Sequence, residues 1–282
     1  MSAQGLSMKH LFATEIESHI DTLAAELPHA LLLYGPSGVG LTTLALQLAG
    51  VQLAGIIRPT DAKGNDDMTS SGVIRVEQIR DMTSHAINKT RQHRVYIIDG
   101  AERMNAQAQN AFLKLLEEPS LHVHFLLVTH ELERLLPTVV SRTQRLSVPP
   151  ITVAQSEALL DTLRVHDKAT RAQLLFLASG LPAELTRLVQ DTELFQARAV
   201  TITAARQFLQ GTVMEKLEII HTCSADRPRT LELLYYAQRV LNHSLTQKPS
   251  TALVERAEQL SAAYDTIAAN GHIRIQLARL VV

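Results

Sequence analysis

Nine residues, Gly35-Pro36-Ser37-Gly38-Val39-Gly40-Leu41-Thr42-Thr43, keep the spacing of a phosphate-binding loop with one position changed. In the pattern G-x-x-x-x-G-K-S/T, glycines let backbone N–H groups curl around a phosphate and the lysine neutralises the outer phosphates. Gly35, Gly38, Gly40, Thr42 and Thr43 are in place, and Leu41 stands where the lysine belongs. An aliphatic side chain brings neither charge nor donor, so the loop has the shape of a nucleotide site without its main cation. Asp99 ends the run Arg94-Val95-Tyr96-Ile97-Ile98, where a strand's end would hold a carboxylate near the loop's magnesium, the Walker B arrangement. A helix-capping acid is the plainer reading of Asp99, and its place after this run favours the metal-site ancestry. Many such hydrolytic sites carry a glutamate at the next position to polarise the attacking water, and here that residue is Gly100. Glu102, two residues further on, points elsewhere if it starts a helix.

These groups need a strand, a loop and a helix in that order. Ala30 to Tyr34 is a short continuous apolar run, the pattern of a strand buried on both faces of a parallel sheet. Thr42 to Ile57 is rich in Ala, Leu and Gln without proline, and is expected to continue as one buried helix whose N-terminal amides face the loop. Val73 to Val76 reads as a short strand and Val76 to Asn88 as a helix. Arg94 to Ile98 reads as a second buried strand, and Asn105 to Glu117 as a helix stopped by Pro119. Val123 to Thr129 and Gln144 to Val148 read as further strands. Such alternation predicts an α/β, mostly parallel sheet covered by helices, with ligand chemistry at the strands' carboxyl ends.

After Pro149-Pro150 the pattern becomes helical. Leu159, Leu160 and Leu163, then Leu174, Leu175 and Leu177, predict a small helical region over residues 151–190. From 191 to 282 the chain stays helical, and Leu253, Ala257, Leu260, Tyr264 and Ile267 form a stripe on one helix face. Three domains are expected: 1–150, 151–190 and 191–282.

From Asp99 to Pro119, with Leu115-Leu116-Glu117-Glu118-Pro119 as its most specific part, the sequence resembles the clamp-loader branch of the AAA+ proteins. Further matches are His29-Ala30-Leu31-Leu32, Val76-Glu77-Gln78-Ile79-Arg80, and Leu135 to Thr143, which corresponds to the family's Ser-Arg-Cys motif with Thr143 in place of cysteine. The resemblance covers at least residues 29–148. It implies an AAA+ P-loop NTPase domain followed by a helical lid and a helical collar. In this family hydrolysis needs the loop lysine, the Walker B glutamate and a lid arginine in a segment matching Ser179 to Leu185. Leu41 and Gly100 remove the first two, and no arginine occurs between Gly180 and Leu185, with Arg187 displaced from the expected place. The resemblance therefore implies a silent subunit with a vestigial Asp99 and no required cofactor, residual nucleotide binding being left open. Arg142 matches the family's arginine finger, which reaches the γ-phosphate of ATP on a neighbouring subunit. A surface arginine beside Arg145 is the plainer reading.

The partners so implied are gamma/tau-type and delta-type subunits in a hetero-pentameric ring, with the sliding clamp and primer-template DNA reached through the complex. An active ATPase using Arg103 or Lys114 in place of the lysine, and an adaptor in DNA repair, are the alternatives. Zinc is not expected, because residues 51–72 hold none of the four cysteines that many family members carry there. Asp61, Asp66 and Asp67 with Lys63, Gly64 and Asn65 read as a solvated loop.

Composition narrows the class further. The 282 residues carry a net charge of −1, 46% hydrophobic residues and one cysteine, Cys223, which excludes an internal disulfide and any cysteine cluster for metal. No basic excess draws the chain to nucleic acid, and Lys89 to Arg94, the one basic stretch, reads as a solvated loop. With no signal-peptide pattern at Met1 to Lys9 and no membrane-length apolar run, the cytoplasm is expected.

Overall fold

A computed structural model describes residues 12–67, 72–86, 93–118 and 122–281. The chain divides into two compact units, Met1–Gln190 and Asp191–Val282.

The first unit is built on five parallel strands, β1 (Ala30–Tyr34), β2 (Leu53–Ile57), β3 (Arg94–Asp99), β4 (Val123–Thr129) and β5 (Gln144–Ser147). Their order across the sheet is β2-β3-β4-β1-β5. The three central strands are mostly apolar and buried because both faces are covered. Successive side chains alternate between two cores. Leu31, Leu33, Val95, Ile97, Leu126 and Val128 pack with Leu41, Leu44 and Ala45 of α2 (Leu41–Ala49) and Ile16 and Ile20 of α1 (Thr14–Ala25). Leu32, Tyr96, Ile98, Phe125 and Leu127 pack on the other face with Ile79 of α3 (Val76–Ala86) and Phe112 and Leu116 of α4 (Ala106–Glu117).

The structure corrects two sequence expectations. The helix after the loop ends at Ala49, and Leu53–Ile57, expected to prolong it, is the edge strand β2. Gly50 stops the helix with φ +47°, a conformation that costs glycine little. The adjoining strand β3 then supplies the ladder for Ile56 and Ile57. Val73 and Ile74 are not a strand of the sheet; they form isolated bridges to Thr60 and Met104. Pro119 and Lys89 to Gln92 lie outside the described residues.

Three helices complete this unit: α6 (Val153–Thr162), α7 (Lys168–Ala178) and α8 (Pro182–Gln190). Thr152 and Gln155 form a capping box on α6, and the Asp167 carboxylate accepts the Thr170 amide at the start of α7. These are the side chains that satisfy otherwise unpaired first-turn amides. Leu159, Leu160, Leu174 and Leu177 are buried.

The second unit is helical: α9 (Thr192–Gln210), α10 (Val213–Cys223), α11 (Arg227–Gln247), α12 (Thr251–Ala268) and α13 (Ile273–Arg279). Phe208 of α9, Leu234 and Ala237 of α11, and Leu260 and Ile267 of α12 are buried. Arg227 donates to the carbonyls of Ile267 and Gly271 at the end of α12, and Arg198 pairs with Glu232. Among the described residues no helix is long and apolar enough to cross a membrane.

Candidate functional site

A parallel sheet brings the carboxyl ends of its strands to one end, and there the loop after β1 meets Asp99 at the end of β3. Tyr34 at the end of β1 leads into the loop, whose turn needs glycine at two positions: Gly38 has φ +90° and Gly40 φ +96°. Gly35 is excluded from carrying a side chain by contact, since a Cβ there would stand 2.3 Å from the carbonyl oxygen of Val148. His130, one residue beyond β4, donates from Nδ1 to the Gly35 carbonyl at 2.9 Å. Gly40 precedes Leu41, the first residue of α2.

Leu41 is 1% exposed and lies in the apolar core with Phe12, Val39 and Leu44. The position that would carry the phosphate-facing cation therefore serves packing. Thr42 keeps a polar role, with its Oγ1 donating to Oδ1 of Asp99 at 2.9 Å. Asp99 is buried at the end of β3, and a buried carboxylate must find compensation. Besides Thr42 it has Arg58, whose Nε stands 3.6 Å from Oδ2. Sequence reasoning missed Arg58, which follows β2. It is fixed by α3, where Gln78 Nε2 donates to the Arg58 carbonyl at 2.9 Å, and its Nη1 also approaches Asp66 at 3.6 Å. No residue type or spacing marks it; its place depends on the register of β2 beside β3.

Gly100 occupies the position of the missing glutamate with φ +81°. A Cβ there would also lie 3.2 Å from Cγ of Pro59, so the backbone itself disfavours any carboxylate at this point. Glu102 is buried in the short turn Ala101–Arg103, and its Oε2 has no hydrogen-bond partner among the described residues.

The start of α8 closes on the loop. The Gly38 carbonyl accepts the Ala183 amide at 3.0 Å and the Glu184 amide at 3.3 Å. First-turn amides of a helix ordinarily remain free to bind anions; two of those on α8 are spent on Gly38. Leu181 packs against the α2 core, and a Cβ on Gly40 would meet Ala183 at 3.6 Å. Arg187, the cation nearest the expected lid arginine in sequence, pairs with Glu184 of its own helix at 3.5 Å.

Arg142 sits in a different setting. Pro137–Val140 forms the single helical turn α5, anchored by fully buried Val139. Arg142 follows on the next turn, where Nη1 donates to the Thr138 carbonyl at 3.1 Å and Nη2 meets Oε1 of Glu117 at 2.9 Å. Thr143, in place of cysteine, donates from Oγ1 to the Val140 carbonyl at 2.9 Å. Buried Gln109 of α4 ties this segment down: its Nε2 donates to the Met104 and Arg134 carbonyls, and its Oε1 accepts the Leu136 amide at 2.7 Å.

The segment after β2 is a compact turn. Asp61 accepts the Lys63 and Asn65 amides at 2.8 and 2.9 Å, and the Asn65 amide above all holds its carboxyl below the usual carboxylate range. Among the described residues no three His, Cys, Asp or Glu side chains converge as metal ligands.

Comparison with known proteins gives this arrangement its relatives. A family model described as DNA polymerase III, delta subunit, matches residues 54–152. The chain is 33% identical over 212 residues to the DNA polymerase III subunit delta' of Pseudomonas aeruginosa, covering 67% of this chain and 64% of that protein. It is 32% identical over 195 residues to the delta' subunit of Bacillus subtilis, covering 62% and 58%. The chain thus spans somewhat under two thirds of the length of these relatives. Similarity to the gamma/tau subunit of Mycobacterium tuberculosis is 33% over 140 residues, covering 43% of this chain and 24% of that one. Among solved structures, a DNA polymerase III gamma subunit-related protein of Thermotoga maritima aligns over 93% of this chain and 97% of its own, with a TM-score of 0.55 at 18% identity, a likeness of fold. With the five-stranded parallel sheet, the altered phosphate loop and the delta' relatives agreeing, the chain belongs to the DNA polymerase III delta-prime branch of the clamp-loader AAA+ family.

Proposed function

We propose that the chain is a catalytically silent stator of the DNA polymerase III clamp loader, lending Arg142 in trans to ATP bound by a neighbouring subunit. The observation that carries this reading is a contrast between two sites. The cation position of the chain's own loop is filled by buried Leu41. Arg142, by comparison, stands 39% exposed at a turn, its guanidinium held by Glu117 and Thr138. The left-handed backbone at Gly100 and the α8 amides on Gly38 argue further against hydrolysis in this chain.

In this reading residues 1–150 are the AAA+ module, 151–190 its lid and 191–282 the collar. The collar joins gamma/tau-type and delta-type subunits in a hetero-pentameric ring that loads the sliding clamp onto primer-template DNA in the cytoplasm. Gly35, Gly38, Gly40, Thr42, Thr43 and Asp99 are relics of a nucleotide site, and the chain requires no cofactor of its own. A trans arginine stabilises charge spread over the γ-phosphate oxygens and is typically worth about 10³–10⁵ in rate at the site it serves.

Reconstitution tests the reading. Arg142→Ala should lower ATP turnover of the assembled complex while size-exclusion chromatography shows intact assembly. The isolated wild-type chain should give no phosphate release. Unchanged turnover in the variant complex would sink the trans arginine, and hydrolysis by the isolated chain would sink the stator.

A further inference from the structure

Helix α4 ends on two acids, Glu117 and Glu118, although the carbonyl end of a helix carries partial negative charge and disfavours them. A cation nearby resolves the conflict for Glu117: its Oε1 lies 2.9 Å from Nη2 of Arg142. Nη1 of the same guanidinium donates to the Thr138 carbonyl in α5 at 3.1 Å. Arg142 is therefore gripped at both terminal nitrogens, from α4 on one side and α5 on the other. The grips share a frame, because Gln109 of α4 bonds the Arg134 carbonyl and Leu136 amide just ahead of α5.

A guanidinium has five N–H groups fixed in one plane. Two contacts leave three donors for a further ligand, and the side chain stays 39% exposed. We propose that Glu117 is the positioning residue of Arg142, setting the plane and place of its guanidinium before a neighbour's phosphate arrives. The inference rests on the reading of Arg142 as a trans arginine. A long flexible side chain that must order itself on meeting its ligand gives up part of the interaction to that ordering. Glu117 completes the ordering in advance. The ion pair is exposed and contributes little to folding, and its carboxylate offsets some of the arginine's charge, so the gain lies in orientation.

The test is steady-state ATPase of the reconstituted complex carrying wild-type chain, E117A, E117Q, R142A or E117A/R142A. E117A should lower kcat by about 3- to 10-fold, the worth of ordering one long side chain, with KM for ATP unchanged. E117Q keeps the acceptor oxygen and should restore most of the rate. The double variant should be no worse than R142A alone, because coupled residues are not additive. If R142A leaves turnover intact, the trans-arginine reading fails and takes this proposal with it. If R142A lowers turnover while E117A leaves it unchanged, raises it or adds to R142A, the positioning role alone is overturned.

Discussion

Leu41 does more than lack a charge. It is the first residue of α2 and 1% exposed, so a lysine there would enter an apolar core. Leu41→Lys should cost about 2–4 kcal/mol of stability, read as a lower urea midpoint, and should yield no ATPase. Gly100→Glu faces a different obstacle. Its φ of +81° costs a residue with a side chain about 1–2 kcal/mol, on top of the contact with Pro59. Thermal unfolding should drop for this variant, and the Leu41→Lys/Gly100→Glu double variant should remain inactive; rapid phosphate release by it would show that the site is reparable. Leu41, Gly100 and Arg142 could be singled out in the sequence because each stands at a fixed offset within a motif. Arg58 was not, because its partner Asp99 becomes its neighbour only when β2 pairs with β3. Glu117 stood in plain sight within the Leu-Glu-Glu-Pro motif, while its pairing with Arg142 depends on how α4 and α5 pack.

At the scale of elements, the central strands could be read because burial on both faces leaves a mostly apolar run. Edge strand β2 could not, since Leu53–Ile57 continues the apolar composition of the helix before it and becomes a strand through a partner distant in sequence. The docking of α8 was equally hidden: it uses backbone amides, which every sequence has. Hydrogen exchange can test that docking directly. The Ala183 and Glu184 amides should exchange slowly in the nucleotide-free chain, and added ATP should leave their protection unchanged. Exchange at the rate of an open loop would refute a closed seam.

Across the whole molecule, ionised caps recur in both units. Asp167 at α7 is held below its ordinary pKa chiefly by the Thr170 amide, and Glu215 at α10 by the Thr212 amide. A carboxyl lowered by folding stabilises fully above its unfolded value near pH 4, and that contribution is lost as pH falls through the folded value. Melting temperature should accordingly decline below about pH 4. Asp167→Asn and Glu215→Gln should each flatten that decline, and an acid limb identical to wild type would show that the caps carry no linkage.

The bonds from Ala183 and Glu184 to the Gly38 carbonyl bear on timing. A site that turns over a nucleotide has to open to admit it and to release the product. Here the loop and the start of α8 are stitched backbone to backbone, with Leu181 packed into the α2 core beside the stitch. In the proposed role, a subunit fastened in this way has no stroke of its own. As the stator proposed above, it would give its neighbours a fixed abutment to push against, with the rhythm of the ring set elsewhere.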